Sequence, residues 1–193
     1  MRRQLLFSFL AIPIFLSAVA VAKASPTLVP KIGSPAKSST SKEAALQGAM
    51  RKLWEDHITW TRVFIISTAG DLPDKATATE RLLQNQVDIG NAVKPYYGDA
   101  AGDKLTTLLK EHITTAAEVV AAAKMNDKAK LDDANKRWFA NADQIADFLS
   151  SANPKNWPAG EMRSMMHDHL DLTTKEVVAR LHGDWASQPL QQL

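Results

Sequence analysis

A short helical unit recurs three times in this chain, and the recurrence limits the folds that the chain can adopt. Each copy carries an acidic residue, a histidine and an aliphatic residue in that order, inside a run whose apolar residues have the spacing of an amphipathic helix. A second unit, with an arginine and an asparagine at matching positions, recurs between the copies. Internal similarity of this kind is typical of one supersecondary unit that is reused around a shared core. The histidines are His57, His112 and His169, and the asparagines are Asn85 and Asn141.

The pattern predicts a duplicated helical hairpin followed by one further copy of its first helix. Loops rich in Gly, Pro, Asn and Asp separate five amphipathic segments, and the sequence carries no strand signal. The second segment is predicted to end at Val93, because Pro95 disfavours helical geometry in the residue before it. Long helices joined by short loops are typical of an up-and-down bundle, so the predicted fold class is all-α. The predicted helices cover residues 42–68, 76–93, 99–125, 128–150 and 159–185.

The N-terminal residues predict export from the cell. A basic pair precedes an apolar run that ends in a small-residue cleavage signal, so we interpret residues 1–24 as a signal peptide rather than an uncleaved anchor. We interpret residues 25–41 as a disordered linker, residues 42–185 as the helical bundle domain and residues 186–193 as a short tail. The protein is expected in the periplasm or outside the cell, without stable insertion in a membrane after cleavage.

Charge and composition exclude several classes of protein. Cleavage of the signal peptide would remove Arg2, Arg3 and Lys23 and no acid, which takes the formal net charge from +2 to about −1. No basic stripe remains to indicate a nucleic-acid partner. The absence of cysteine excludes disulfides and thiolate metal sites. The sequence also lacks the Glu-x-x-His pairs of di-iron bundles and the glycine-rich loops that bind phosphate.

The recurring polar side chains are predicted to lie in one layer of the bundle. Residues at equal counts from a turn reach equal heights in neighbouring helices, and the histidines and asparagines fall within roughly one helical turn by this measure. All of them lie on the apolar faces of their helices. Imidazole nitrogens held by several helices suit Zn, Cu, Fe or Ni. We therefore hypothesise a divalent transition-metal site formed by His57, His112 and His169, with Asp88 as an added ligand and Asn85 and Asn141 in the same polar layer.

Two other interpretations of this layer stay open. In the first, the buried polar groups only fix the helix register, and the protein has a structural role or binds a protein partner or a second copy of itself. In the second, a histidine is the general base of a hydrolase or transferase. The nearest hydroxyls of suitable phase belong to Thr61, Thr115 and Thr173. Threonines inside helices usually bond back to their own backbone, which disfavours catalysis and leaves enzyme activity uncertain.

Several motifs of the chain keep a fixed spacing. They include Leu53-Trp54-Glu55-Asp56-His57, Leu82-Leu83-Gln84-Asn85 with Asp88-Ile89-Gly90, Leu108-Leu109-Lys110-Glu111-His112-Ile113, and Asn141-Ala142-Asp143 with Ile145-Ala146. In these motifs the chain resembles an uncharacterised family of small bacterial all-helical proteins. The resemblance implies a helical fold but no defined activity, since no residue here supports the transferase names of some relatives. It also implies that a sixth helix with a fourth histidine, which follows the position of Trp185 in similar chains, is missing here.

Overall fold

The regular structure in the described part of the chain is α-helical. The computed structural model describes residues 36–186, with side chains for residues 44–186, and no strand occurs among them. The helices are α1 (Ala36–Ala69), α2 (Lys75–Tyr97), α3 (Asp99–Lys124), α4 (Lys128–Ala152) and α5 (Ala159–Leu181). The predicted all-α bundle of five helices is confirmed. The predicted signal peptide, residues 25–35 of the predicted linker and residues 187–193 of the tail lie outside the described residues.

The chain divides into two compact units, and the boundary between them falls inside α1. The first unit ends at Lys52 and the second begins at Leu53. The second unit contains the rest of α1 together with α2, α3, α4 and α5. All three histidines of the predicted layer therefore belong to the same unit.

Helix α3 takes part in most of the packing within the second unit. Helix α2 packs on α3, α3 on α4 and α4 on α5, and α3 also contacts α5. One buried apolar cluster joins the C-terminal half of α1 to α2, α3 and α5, and another joins α3 to α4 and α5. The first contains Phe64, Ile65, Leu82, Ile113, Val120 and Val177, and the second contains Val119, Ala134, Trp138, Ala142 and Leu170. His112 thus lies on the helix that contributes to both clusters.

Two glycines allow α2 and α3 to approach closely. A Cβ atom added to Gly90 would lie 2.7 Å from the backbone oxygen of Gly102, and one added to Gly102 would lie 2.5 Å from the backbone oxygen of Gly90. Carbon atoms in proteins do not approach backbone oxygens this closely. The absence of side chains at these positions therefore sets the distance between the two helices.

The three helices that carry the histidines end with the same backbone geometry. In each, a residue with positive φ follows the last turn, and the next residue donates its N–H to a carbonyl oxygen further back in the helix, as in the Schellman motif. The residues with positive φ are Asp71, Asn126 and Gly183, at φ of 52°, 52° and 70°. The three donor and acceptor pairs are Leu72 and Ser67, Asp127 and Ala122, and Asp184 and Ala179.

Three predicted helix boundaries differ from the structure by more than two residues. Helix α1 begins at Ala36, inside the predicted linker. Helix α2 continues past Val93 to Tyr97, because Pro95 lies in the last turn and removes only one backbone donor. Helix α5 ends at Leu181 rather than near residue 185, because Gly183 adopts the left-handed conformation that stops a helix. Within residues 36–186, no helix has the length and apolarity needed to cross a membrane.

Candidate functional site

Three histidines of the second unit, two of them buried, belong to the predicted polar layer. His57 on α1 and His112 on α3 are only 7% and 4% exposed, and His169 on α5 is half-buried. The ring centroids of His112 and His169 lie 6.0 Å apart, with the ring planes inclined by 23°. A positive charge on His169 lowers the pKa of both other histidines, so the three rings are within electrostatic reach of each other. The structure therefore brings together two of the three predicted histidines, His112 and His169, whereas the ring of His57 contacts Trp54 and Gln86.

Asn141 fixes which nitrogen of His112 carries the proton. The Nδ2 of Asn141 donates to the backbone oxygen of Leu108 at 3.1 Å, so the amide oxygen must be the atom that faces His112. That oxygen lies 2.9 Å from Nδ1 of His112. An amide oxygen can only accept, so Nδ1 carries the proton and Nε2 has a free lone pair. The Nε2 atom of His112 is buried and has no hydrogen-bond partner among the described residues.

A second asparagine makes related contacts in the first hairpin. The Nδ2 of Asn85 donates to the backbone oxygen of Leu53 at 3.0 Å. Leu53 precedes His57 by one helical turn, as Leu108 precedes His112. The Oδ1 of Asn85 accepts from Nε2 of Gln86, which lies 3.2 Å from Nδ1 of His57. Each asparagine thus joins two neighbouring helices beside a histidine. Helix α5 is the last helix that the structure describes, so His169 has no following helix of this kind within residues 36–186.

Gln86 is a buried member of the layer that the sequence did not reveal. Its side chain is fully buried. Its Nε2 donates to the backbone oxygen of Leu82 at 2.8 Å and to Oδ1 of Asn85 at 3.2 Å, and it lies 3.2 Å from Nδ1 of His57. Its Oε1 is buried without a partner among the described residues. Its place beside Asn85 on a predicted helix was the only available signal, and adjacent residues normally face different directions.

Burial keeps the histidines uncharged. Removal from water is the largest cause that lowers the pKa of His57 to about 4 and that of His112 to about 3, and the charge on His169 is the next. Burial also lowers the pKa of His169. Hydrogen bonds from Asn85 and Asn141 raise these pKa values but do not compensate for burial. A neutral imidazole is the form that binds metal ions, so at neutral pH the layer has the required protonation state.

Asp88 makes its contacts outside this layer. Its carboxylate accepts from Nε2 of Gln84 at 3.0 Å and lies 3.6 Å from the guanidinium of Arg81, and its side chain is 36% exposed. Arg81 also lies 4.0 Å from the carboxylate of Asp56 and stands over the ring of Trp60. The acid that precedes His57 is therefore turned towards α2, which agrees with its position about 100° round the helix from the histidine.

A small apolar cavity lies about one helical turn beyond the histidines. Its volume of about 30 Å³ is enough for a molecule the size of water. Three threonines are among its lining residues, but Thr173 donates its hydroxyl to the backbone oxygen of His169 at 2.8 Å. Thr115, outside the cavity, likewise donates to the backbone oxygen of Glu111 at 2.8 Å, whereas the hydroxyl of Thr61 is buried without a partner among the described residues. The lining residues are Thr61, Phe64, Ile65, Leu82, Ile113, Ala116, Val119, Val120, Trp138, Thr173, Thr174 and Val177.

A buried ion pair lies further along α5. The side chain of Glu176 is nearly inaccessible to solvent, and its Oε1 lies 3.3 Å from the guanidinium of Arg62 on α1. Burial raises the pKa of this carboxyl group, although Arg62 and Arg180 oppose the shift. The remaining histidine of the α4–α5 surface, His167, is partly exposed and lies 2.9 Å from Oδ1 of Asp143.

The layer does not contain a preformed metal cage. Within the described residues, no three or more His, Asp or Glu side chains are arranged to hold a metal ion. What it does contain is a pair of close imidazoles, a third imidazole nearby and two acceptor atoms without partners among the described residues. Comparison of the chain with protein-family models, with curated proteins and with solved structures found no match. The resemblance to an uncharacterised bacterial family therefore stays a prediction.

Proposed function

We propose that the protein binds a transition-metal ion at the histidine layer, through Nε2 of His112 and the ring of His169, with His57 next to them. The observation that carries this proposal is the lone pair of His112. It is fixed in orientation by Asn141, it is buried, and it has no hydrogen-bond partner among the described residues. A buried acceptor without a partner is costly unless a cation or a donor satisfies it. Metal-binding histidines commonly donate their other ring nitrogen to an oxygen in this way.

The separation of the two rings supports the proposal. With metal–nitrogen bonds of about 2.1 Å, two imidazoles that share one ion have ring centroids roughly 5 to 6.5 Å apart. The ring centroids of His112 and His169 are 6.0 Å apart, within this range, and because the two rings are stacked with their planes inclined by 23°, binding of one ion by both requires the ring of His169 to turn. Both are uncharged at neutral pH because burial lowers their pKa. Asp88 is not included among the proposed ligands, because Arg81 and Gln84 already occupy its carboxylate.

The test is the metal content of the full chain, purified without a histidine tag or chelator and measured by mass spectrometry. We expect close to one transition-metal ion per chain, lost in the His112→Ala and His169→Ala variants. His167→Ala is the matched control: it removes the same type of side chain two positions from His169, but at a partly exposed site bonded to Asp143. Absence of metal, or equal metal content in all variants, would contradict the proposal.

The second candidate function is structural. The bonds from Asn85 to Leu53 and from Asn141 to Leu108 each join two helices at a fixed height, which favours a layer that sets helix register. In that case the His112→Ala variant loses thermal stability, and added Zn, Cu, Ni or Fe does not shift the unfolding temperature of the parent chain. A shift of the unfolding temperature by one of these ions supports the metal site instead.

We also propose that the binding domain acts after export, in the periplasm or outside the cell. Support comes from the basic pair, the apolar run and the cleavage signal within residues 1–24. Sequencing of the N-terminus of the protein recovered from a secreting bacterial host tests this. A mature chain that begins at Ser25 is the expected result, and an uncleaved N-terminus in the cytoplasmic fraction would contradict it.

A further inference from the structure

Among residues 44–186, whose side chains the structure describes, none provides a negative charge to an ion bound at the histidine layer. Its polar side chains are three imidazoles and three carboxamides, from Asn85, Gln86 and Asn141. The groups that act on His57 and His112 are other histidines and these amides, and no carboxylate is among them. The acids that precede the histidines are turned away: Asp56 faces Arg81, and Glu111 and Asp168 are exposed.

The buried carboxylate of α5 that is nearest to the layer, that of Glu176, does not supply negative charge to an ion bound there. Glu176 lies two helical turns beyond His169, roughly 10 Å along the helix axis. It is already paired with Arg62, so the two charges largely offset each other. The side chains between the two levels are apolar or hydroxyl-bearing and surround the small cavity. An ion at the histidine layer therefore keeps its full charge in apolar surroundings.

We propose that the layer selects monovalent copper, Cu(I), over divalent transition-metal ions; this inference rests on the metal site proposed above. The Born cost of moving an ion out of water rises with the square of its charge, so a divalent ion with neutral ligands costs about four times as much as a monovalent one. Divalent ions usually recover this cost from carboxylate or thiolate ligands, which are absent from the layer as the structure describes it. The expected ion is therefore monovalent, whereas the sequence pattern alone led us to expect a divalent one.

The number of available donors agrees with Cu(I). Divalent zinc takes four ligands in nearly all structural sites. The layer offers one close pair of imidazoles, His112 and His169, and no preformed group of three or more ligands within the described residues. A monovalent copper ion needs only two nitrogen donors.

The experiment compares ions on the full chain under anaerobic conditions. Cu(I) is presented in competition with a chromophoric Cu(I) chelator, and Zn²⁺ and Ni²⁺ are presented by equilibrium dialysis. We expect one Cu(I) per chain and an affinity for Zn²⁺ and Ni²⁺ weaker by at least about tenfold. Stoichiometric Zn²⁺ or Ni²⁺ that is bound as tightly as Cu(I), and is lost in His112→Gln, would overturn this inference but leave the metal site standing. Binding of no ion would overturn both.

A variant that adds a negative charge and keeps all three histidines tests whether the charge of the layer, and not the position of its nitrogen donors, determines which ion is preferred. Asn141→Asp places a carboxylate beside Nδ1 of His112 without removing a histidine, so the preference should move towards Zn²⁺ by about tenfold or more. Asn91→Asp is the matched control, since Asn91 is exposed on α2 and the added charge lies outside the layer. Thermal unfolding of each variant shows whether it remains folded. An unchanged ratio of Cu(I) to Zn²⁺ affinity in a folded Asn141→Asp variant would contradict the charge argument.

Discussion

At the scale of the single residue, Asn141 does two tasks with one amide group. Its nitrogen donates to the backbone oxygen of Leu108, and its oxygen accepts from Nδ1 of His112. The side chain is 1% exposed, so water cannot replace either bond. Because both partners belong to α3, the amide also ties α4 to the central helix. Loss of the amide would leave the buried Nδ1–H of His112 without a partner, at the cost of its desolvation. It would also remove one of two bonds of the Leu108 oxygen, which accepts from the backbone N–H of His112 within α3 as well.

We expect Asn141→Ala to lower the free energy of unfolding by about 2 to 4 kcal/mol, since two buried partners lose their hydrogen bonds. Urea denaturation of the metal-free chain measures this change. Asn91→Ala is the control, because it removes an exposed asparagine and should change the free energy of unfolding by less than about 0.5 kcal/mol. Similar losses in the two variants would show that the buried amide bonds contribute little.

Part of this residue-level detail could be predicted from the sequence. The apolar spacing of the helices predicted which polar residues face inward. Four of them are buried as predicted: Asn85, Asn141, His57 and His112. The partners of Asn141 were not predictable, because a side-chain position within one helix does not determine which backbone carbonyl of the next helix it meets. Gln86 was missed for the same reason, because its contact with His57 depends on how α1 packs against α2.

At the scale of the element, the pair Gly90 and Gly102 determines how closely α2 and α3 pack. The sequence did not predict a contact between these two glycines, because a glycine inside a helix normally only weakens it. The structure supplies the reason for both, since each glycine faces the backbone oxygen of the other. The close approach is therefore a property of the helix pair and not of either helix.

We expect Gly90→Ala to destabilise the protein by about 2 kcal/mol or more, because the new methyl group would meet the backbone oxygen of Gly102 and force α2 away from α3. Gly48→Ala is the matched control: nothing lies within 4 Å of the added Cβ atom, so the change should be neutral or stabilise α1 by up to about 1 kcal/mol. Thermal and urea denaturation of both variants measure the two effects. Equal stability of the two variants would exclude the steric explanation.

At the scale of the whole molecule, the buried histidines link stability to pH. An unfolded chain exposes His57 and His112 to water, where the ordinary pKa of a histidine is 6.5, whereas burial lowers their pKa in the folded protein to about 4 and about 3. Between these values the unfolded chain binds more protons than the folded one. Stability is therefore full above about pH 6.5 and is lost progressively as the pH falls towards the folded-state pKa values.

For the metal-free chain, we expect the free energy of unfolding to fall by about 3 kcal/mol between about pH 7.5 and about pH 5.5, from the two histidines together. Urea denaturation at the two pH values measures the difference. The His182→Gln variant, which changes an exposed histidine at the end of α5, should show the same fall. A free energy of unfolding that does not change with pH in this range would show that the histidines are hydrated and charged in the folded protein.

The sequence by itself determined the helical class, the number of helices and most of their limits. These properties depend on local apolar spacing and on residues that break helices, so α3 and α4 begin at the predicted residues and end within two residues of the predicted ends. The inward phase of the polar residues follows from the same periodicity. Near Pro95 and Gly183, where the helix end depends on the backbone conformation of a few residues, the observed end differs from the predicted one by about one turn.

Only the tertiary structure decided what the inward polar residues contact. It directed the amide of Asn141 to Leu108 and His112, placed His169 beside His112, and turned Asp88 towards Arg81. These contacts depend on the distance and rotation between helices, which the packing of α2, α3, α4 and α5 sets through residues far apart in the chain. The free lone pair of His112 results from that packing, because it exists only where a neighbouring helix fixes the proton on the other ring nitrogen.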